Sequence, residues 1–78
     1  MDNFYTTRDS FTAGYLSLLG HEVTSFMANG MKTWKILATD QMHKDRLDAE
    51  NGKMTVNIKA LRAAMRRVKM LEVEENIR

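Results

Sequence analysis

His21-Glu22-Val23-Thr24-Ser25-Phe26-Met27-Ala28-Asn29-Gly30-Met31-Lys32-Thr33-Trp34-Lys35-Ile36-Leu37-Ala38-Thr39 decides the fold of this chain. Asn29-Gly30 stands between two runs rich in β-branched and aromatic residues. Asn-Gly is the preferred pair for a two-residue type I′ turn, whose twist matches that of the flanking strands. With the turn placed there, the pairing follows: Ala28 opposite Met31, Ser25 opposite Trp34, Val23 opposite Ile36. Paired residues share a face, so Val23, Met27, Trp34 and Ile36 are expected to point together into the core. Glu22, Thr24, Phe26, Met31, Thr33, Lys35 and Leu37 take the other face. Phe26, Met31 and Leu37 make that face more apolar than a solvent-facing surface requires.

Outward from the hairpin, each flank offers recognisable start and stop signals. Phe4-Tyr5-Thr6-Thr7 reads as a short first strand. Asp9 and Ser10 offer caps to a helix over Phe11 to Leu19, ended by Gly20 where a left-handed residue is needed. Phe11, Tyr15, Leu18 and Leu19 are expected to line its buried side with Leu16 near the edge, and Gly14 to allow close approach to the sheet. After the hairpin, Asp40 caps a short helix from Gln41 to Ala49, broken at Asn51-Gly52. Asn57 then caps a long final helix in which Ile58, Leu61, Met65 and Val68 form an apolar seam. That helix is expected to fade after Leu71. Glu72, Glu74 and Glu75 lie where the helix dipole disfavours anions, so 72–78 reads as a frayed tail. The order is β-α-β-β-α-α, an α+β fold. Its three-stranded, mostly antiparallel sheet has the first strand beside the third and the helices packed on one face.

Seventy-eight residues make one domain with a modest core. No cysteine is present, so disulfides and thiolate metal sites are excluded, and two histidines are too few for a structural zinc. The opening residues lack the basic start and apolar run of a secretory signal. No stretch approaches the roughly 20 apolar residues of a membrane span. The expectation is a cytoplasmic protein without cofactor or metal. Nor is there a phosphate-cradling glycine loop, a nucleophile elbow or a calcium loop, and His21 and His43 stand without an obvious nucleophile. The chain reads as a non-enzyme.

Its net charge of +2 conceals an asymmetry. Residues 1–50 hold five basic and seven acidic side chains, whereas 51–78 hold seven basic and three acidic. Lys59, Arg62, Arg66 and Lys69 recur one position after the apolar seam, about 100° around the helix, with Arg67 beside them. Such a stripe can meet nucleic-acid phosphates, an acidic protein surface, or only water. No aromatic interleaves with it to stack on bases. Seven methionines suit either gap-filling in a small core or an adaptable binding surface. The candidate partner-binding residues are thus Lys59, Arg62, Arg66, Arg67 and Lys69 on the helix, with Phe26 and Met31 on the sheet. The apolar sheet face also leaves room for a homodimer.

The whole pattern resembles a family of short phage and bacterial mobile-element proteins catalogued as a domain of unknown function. The likeness runs from Phe4 to about Leu71. Its carriers are Arg8-Asp9 through Ala13 and Leu16 to Leu19-Gly20-His21, the hairpin closing on Asp40, and Asn51-Gly52 followed by Val56-Asn57. A helix with Leu61, Ala64, Arg66 and Lys69 completes it. This last segment matches the family's pattern without a gap. The chain departs at Lys35, Leu37, Ala38 and Thr39, where the family is more aromatic. The resemblance implies an accessory protein of a phage or integrated element in a bacterial host cell, with no activity to carry over. With the composition, it leads to an inhibitor or adaptor that binds a protein partner, such as a host defence or nucleic-acid-processing machine. The alternative is a nucleic-acid-binding accessory or regulator acting through the basic helix.

Overall fold

The computed structural model describes residues 3–73. Strand β1 (Phe4–Thr7) leads into helix α1 (Ser10–Leu18), then hairpin β2 (Val23–Ala28) and β3 (Met31–Leu37), then helices α2 (Asp40–Glu50) and α3 (Ile58–Lys69). The three strands form one sheet, ordered β1-β3-β2 and antiparallel throughout, as expected. Asn29 and Gly30 both carry positive φ, the requirement of a type I′ turn. The register follows from it: Ala28 pairs with Met31, Ser25 with Trp34 and Val23 with Ile36.

Local chemistry sets the helix limits. Asp9 caps α1 by accepting from the Phe11 amide, and Asn57 caps α3 by accepting from the Ala60 amide. Thr39, not Asp40, caps α2: its hydroxyl accepts from the Met42 amide at 3.0 Å, while Asp40 occupies the first turn. Helices α1 and α2 both stop in a Schellman motif. Gly20 and Gly52 take positive φ, and the amides that follow bond back to Leu16 and Asp48.

All three helices lie on one face of the sheet. Helix α1 crosses its middle, α2 sits toward β1, and α3 packs along α1 and toward β2. Being enclosed on several sides, α1 buries four consecutive residues, Ala13 to Leu16, rather than a single stripe. Leu16 is therefore central, and Leu19 is exposed. The core is Tyr15, Leu16, Ile36, Met42 and Leu61, continued by Ala13, Trp34 and Val68. Trp34 and Ile36 hold the expected inner face, but Met27 lies 40% exposed at the turn end, beyond the helices' cover.

The α1–α3 contact is unusually close. A Cβ added at Gly14 would lie 2.7 Å from the Met65 side chain and 2.9 Å from its backbone nitrogen and Cα. Gly14 thus serves approach to α3, not to the sheet. The seam of α3 shifts accordingly: Leu61, Ala64 and Val68 are buried, Met65 is half-buried, and Ile58 faces out at 63% exposure.

Candidate functional site

Docking the apolar seam turns the neighbouring stripe of α3 outward. Lys59, Arg62, Arg66, Arg67 and Lys69 are all exposed. Among the described residues, none of the five makes an ion pair with a carboxylate. Arg62, Arg66 and Lys69 surround Met65 in a shallow depression of about 240 Å³. Exposed apolar side chains, Ile58 and Met70, mark the two ends of the helix. The seam expected from the sequence included Ile58, but Ile58 follows the cap and faces outward in the first turn, and Met70 follows the last helical residue.

The C-terminal end of α3 is held by side chains of the sheet. Trp34 Nε1 donates to the Val68 carbonyl at 2.8 Å, and Lys32 Nζ donates to the Lys69 and Leu71 carbonyls at 2.6 and 2.5 Å. Ser25 Oγ donates to the Glu72 carbonyl at 3.0 Å. The bonds to Val68 and Lys69 supply acceptors of the last helical turn with side-chain donors, those to Leu71 and Glu72 pin the chain just after it, and the Lys32 ammonium also suits the negative end of the helix dipole. Val73 forms a parallel bridge with Ser25, so the chain just after α3 lies along the β2 edge. The rest of the expected frayed tail, 74–78, lies outside the described residues.

The opposite face of the sheet carries no helix. Phe26 is half-buried there and Met31 is 51% exposed. The pairing of Phe4 with Leu37 and Thr6 with Lys35 adds Phe4 to this surface, which the sequence reading had not placed. The Lys35 ammonium lies 4.9 Å from the Phe4 ring centroid, within cation–π range. Two depressions indent the face. One, of about 230 Å³, is lined by Phe4, Glu22, Thr24, Lys35 and Leu37. The other, of about 340 Å³, is lined by Thr6, Thr7, Arg8, Phe26, Ala28 and Thr33. The two proposed surfaces are thus separate: the α3 cations come together on the helical side, and Phe26 and Met31 on the other.

A third polar feature is internal. His21 Nε2 lies 2.7 Å from Asp45 Oδ2, both side chains mostly buried, and Gln41 donates to the other Asp45 oxygen at 2.9 Å. The His21 hydrogen bond holds the Asp45 carboxyl below its ordinary pKa, against the opposing effect of burial. Burial raises the nearby Tyr15 phenol, helped by the negative charge of Asp45 and Asp48. The pair joins the residue after the α1 stop to α2, a tie between elements, while His43 is exposed. Among the described residues, no group of three or more metal-ligating side chains comes together, and no helix is long and apolar enough to cross a membrane.

No family model, curated protein or solved structure matches this chain.

Proposed function

We propose that this protein is a non-enzymatic accessory factor of a phage or mobile element, working in the cytoplasm of a bacterial host by binding a protein partner through α3. The observation that carries this reading is the composition of the α3 surface. Five exposed cations have no carboxylate partner among the described residues, three of them (Arg62, Arg66 and Lys69) surround Met65, and Ile58 and Met70 are exposed at either end. A phosphate backbone would answer the cations and leave the apolar side chains unused. An acidic protein surface with an apolar centre answers both, and a flexible methionine floor adapts to it. The cellular setting rests on the resemblance drawn from the sequence pattern alone, and an inhibitor or adaptor of a host machine fits a small chain built this way.

The rival, nucleic acid on the same stripe, rests on the unpaired cations. Affinity capture from host lysate after nuclease treatment separates the two. One stoichiometric protein should be retained by the native chain and lost with Arg62→Glu/Arg66→Glu. Recovery of nothing after nuclease would sink the protein-partner reading. Recovery of nucleic acid without nuclease, with a salt slope that shrinks by about one unit for each α3 cation removed, would transfer the stripe to phosphates.

A further inference from the structure

Helix α3 and the two residues after it repeat themselves. Ile58 to Ala64 and Met65 to Leu71 are consecutive heptads, and five of their seven positions agree in kind. Position one is apolar, Ile58 and Met65. Positions two and five are cationic, Lys59 and Arg62 in the first heptad, Arg66 and Lys69 in the second. Positions four and seven are apolar again, Leu61 and Ala64, then Val68 and Leu71. A seven-residue period drifts only about 20° per repeat around an α-helix, so equivalent positions stay nearly in line.

The fold divides these positions into two sets. Four and seven turn inward: Leu61, Ala64 and Val68 are buried, and Leu71 packs against the cluster of Ala13, Trp34 and Val68. One, two and five are left for the outside. Ile58 is 63% exposed, Met65 is half-buried, and the four cations are exposed. The inner set is answered by α1 and the sheet. The outer set has no carboxylate partner among the described residues. Its order, an apolar knob every seven residues with charges on either side, is that of a coiled-coil seam and its flanks.

The relief of this seam matches its order. Gly14 has no side chain, so α3 sits low on α1 at Met65. Arg62, Arg66 and Lys69 stand around that floor in a depression of about 240 Å³. This falls below the roughly 300–1,000 Å³ of small-molecule pockets and suits one apolar side chain. From Ile58 to Lys69 the seam runs about 16 Å, three helical turns. A second copy laid on it would set cations against cations. An extended peptide needs the backbone groups of a sheet edge, which a helix does not offer. Building on the reading of α3 as a protein-binding surface, we infer that its occupant is an acidic amphipathic α-helix, with apolar side chains on Ile58 and Met65 and carboxylates at Arg62, Arg66 and Lys69.

The test is fluorescence polarisation of the full chain with two labelled synthetic peptides of identical composition, each three heptads long. The patterned peptide carries leucine at positions one and four, glutamate at five and seven, and alanine or glutamine elsewhere. The other is a scramble of it without a seven-residue period. Charge alone would bind both equally. The patterned peptide should bind at least about tenfold tighter, the worth of one buried leucine, and should gain helical circular dichroism on mixing. Ile58→Glu should weaken it about tenfold or more while keeping the fold, since an acid in the first turn suits the helix dipole. Arg62→Glu should weaken it similarly, whereas Arg67→Glu, an exposed cation outside the seam, should cost less than about threefold. Thermal melts verify that each variant is folded. The inference is overturned if neither peptide binds, if both bind alike, or if Arg67→Glu costs as much as Arg62→Glu. Displacement of the patterned peptide by short duplex DNA at equal concentration would also overturn it. Capture from lysate judges the wider reading separately. A protein retained by the native chain and lost with Arg62→Glu/Arg66→Glu, beside two peptides bound alike, removes the helix and leaves the protein partner. An empty capture with both peptides unbound removes both.

Discussion

Helix α3 buries Leu61, Ala64 and Val68 against α1, whereas α2, nearly as long, buries Met42 alone. One turn further along the same face as Met42, α2 is held by polar contacts. Asp45 takes His21, Arg46 lies 4.9 Å over the Tyr5 ring, and Arg46 also pairs with Glu50 at 2.7 Å. One flank of the helical layer is held by packing and close backbone approach, the other by directional contacts between charged groups. The flank bearing the candidate interface is thus the one held by apolar packing. Five like charges within one helix repel each other, by a few tenths of a kcal/mol per i, i+4 pair, and only a well-anchored helix carries that cost without fraying.

Equal substitutions in the two helices should break this contrast if it is wrong. Leu61→Ala should lower stability by about 3 kcal/mol, the cost of emptying a fully packed leucine site. Leu47→Ala on α2, at 46% exposure, should change it by less than about 0.5 kcal/mol. Urea unfolding of the two variants side by side measures the difference, and comparable losses would mean that the flanks are alike.

A smaller effect tests the close approach. In an open helix, replacing glycine by alanine gains up to about 1 kcal/mol. Gly14→Ala should instead lose about 2 kcal/mol, because the new methyl meets the α3 backbone, which cannot move aside as a side-chain tip can. A stabilised Gly14→Ala variant would refute the contact.

The smallest expected effect lies on the α2 flank and depends on pH. The folded-state pKa of Asp45 is depressed, so its bond to His21 contributes stability above the unfolded carboxylate pKa of about 3.9, and the contribution is lost as pH falls through the lower folded value. Asp45→Asn should therefore cost about 1–2 kcal/mol at pH 6–7 and progressively less below pH 4. Denaturation curves of variant and native protein at pH 3 and pH 7 provide the check. A gap that stays constant across that range would assign the Asp45 contribution to shape rather than charge.

Much of this architecture could be read from local chemistry. Asn29-Gly30 set the hairpin register to the residue, and Gly20, Asn51-Gly52 and Asn57 marked helix ends, because turns and caps depend on a few neighbouring atoms. Burial around α1 was less accessible. A 3.6-residue period identifies one stripe, but α1 touches the sheet and both other helices, so Ala13 and Leu16 are as buried as Tyr15. Gly14 was legible as a close-approach site, yet its partner was not, since that depends on how α3 returns across α1. The α3 cations could be found because a helix converts spacing into a stripe without help from the rest of the fold. The sheet surface around Phe4, Arg8, Glu22 and Lys35 needs the register of β1 on β3; the sequence placed the two strands side by side, but no turn joins them to fix which residues face which.

The side chains that hold the end of α3 also bear on how the protein folds. Ser25, Lys32 and Trp34 share one face only in the observed register, and a slip of one residue along either strand would send that strand's members to the other side. Their partners lie 47, 37 and 34 residues further along the chain, so these bonds to the end of α3 exist only with a correctly paired hairpin. Long-range closures of this kind slow folding but make it cooperative. The docked end of the last helix thus rewards one register of the hairpin over its neighbours.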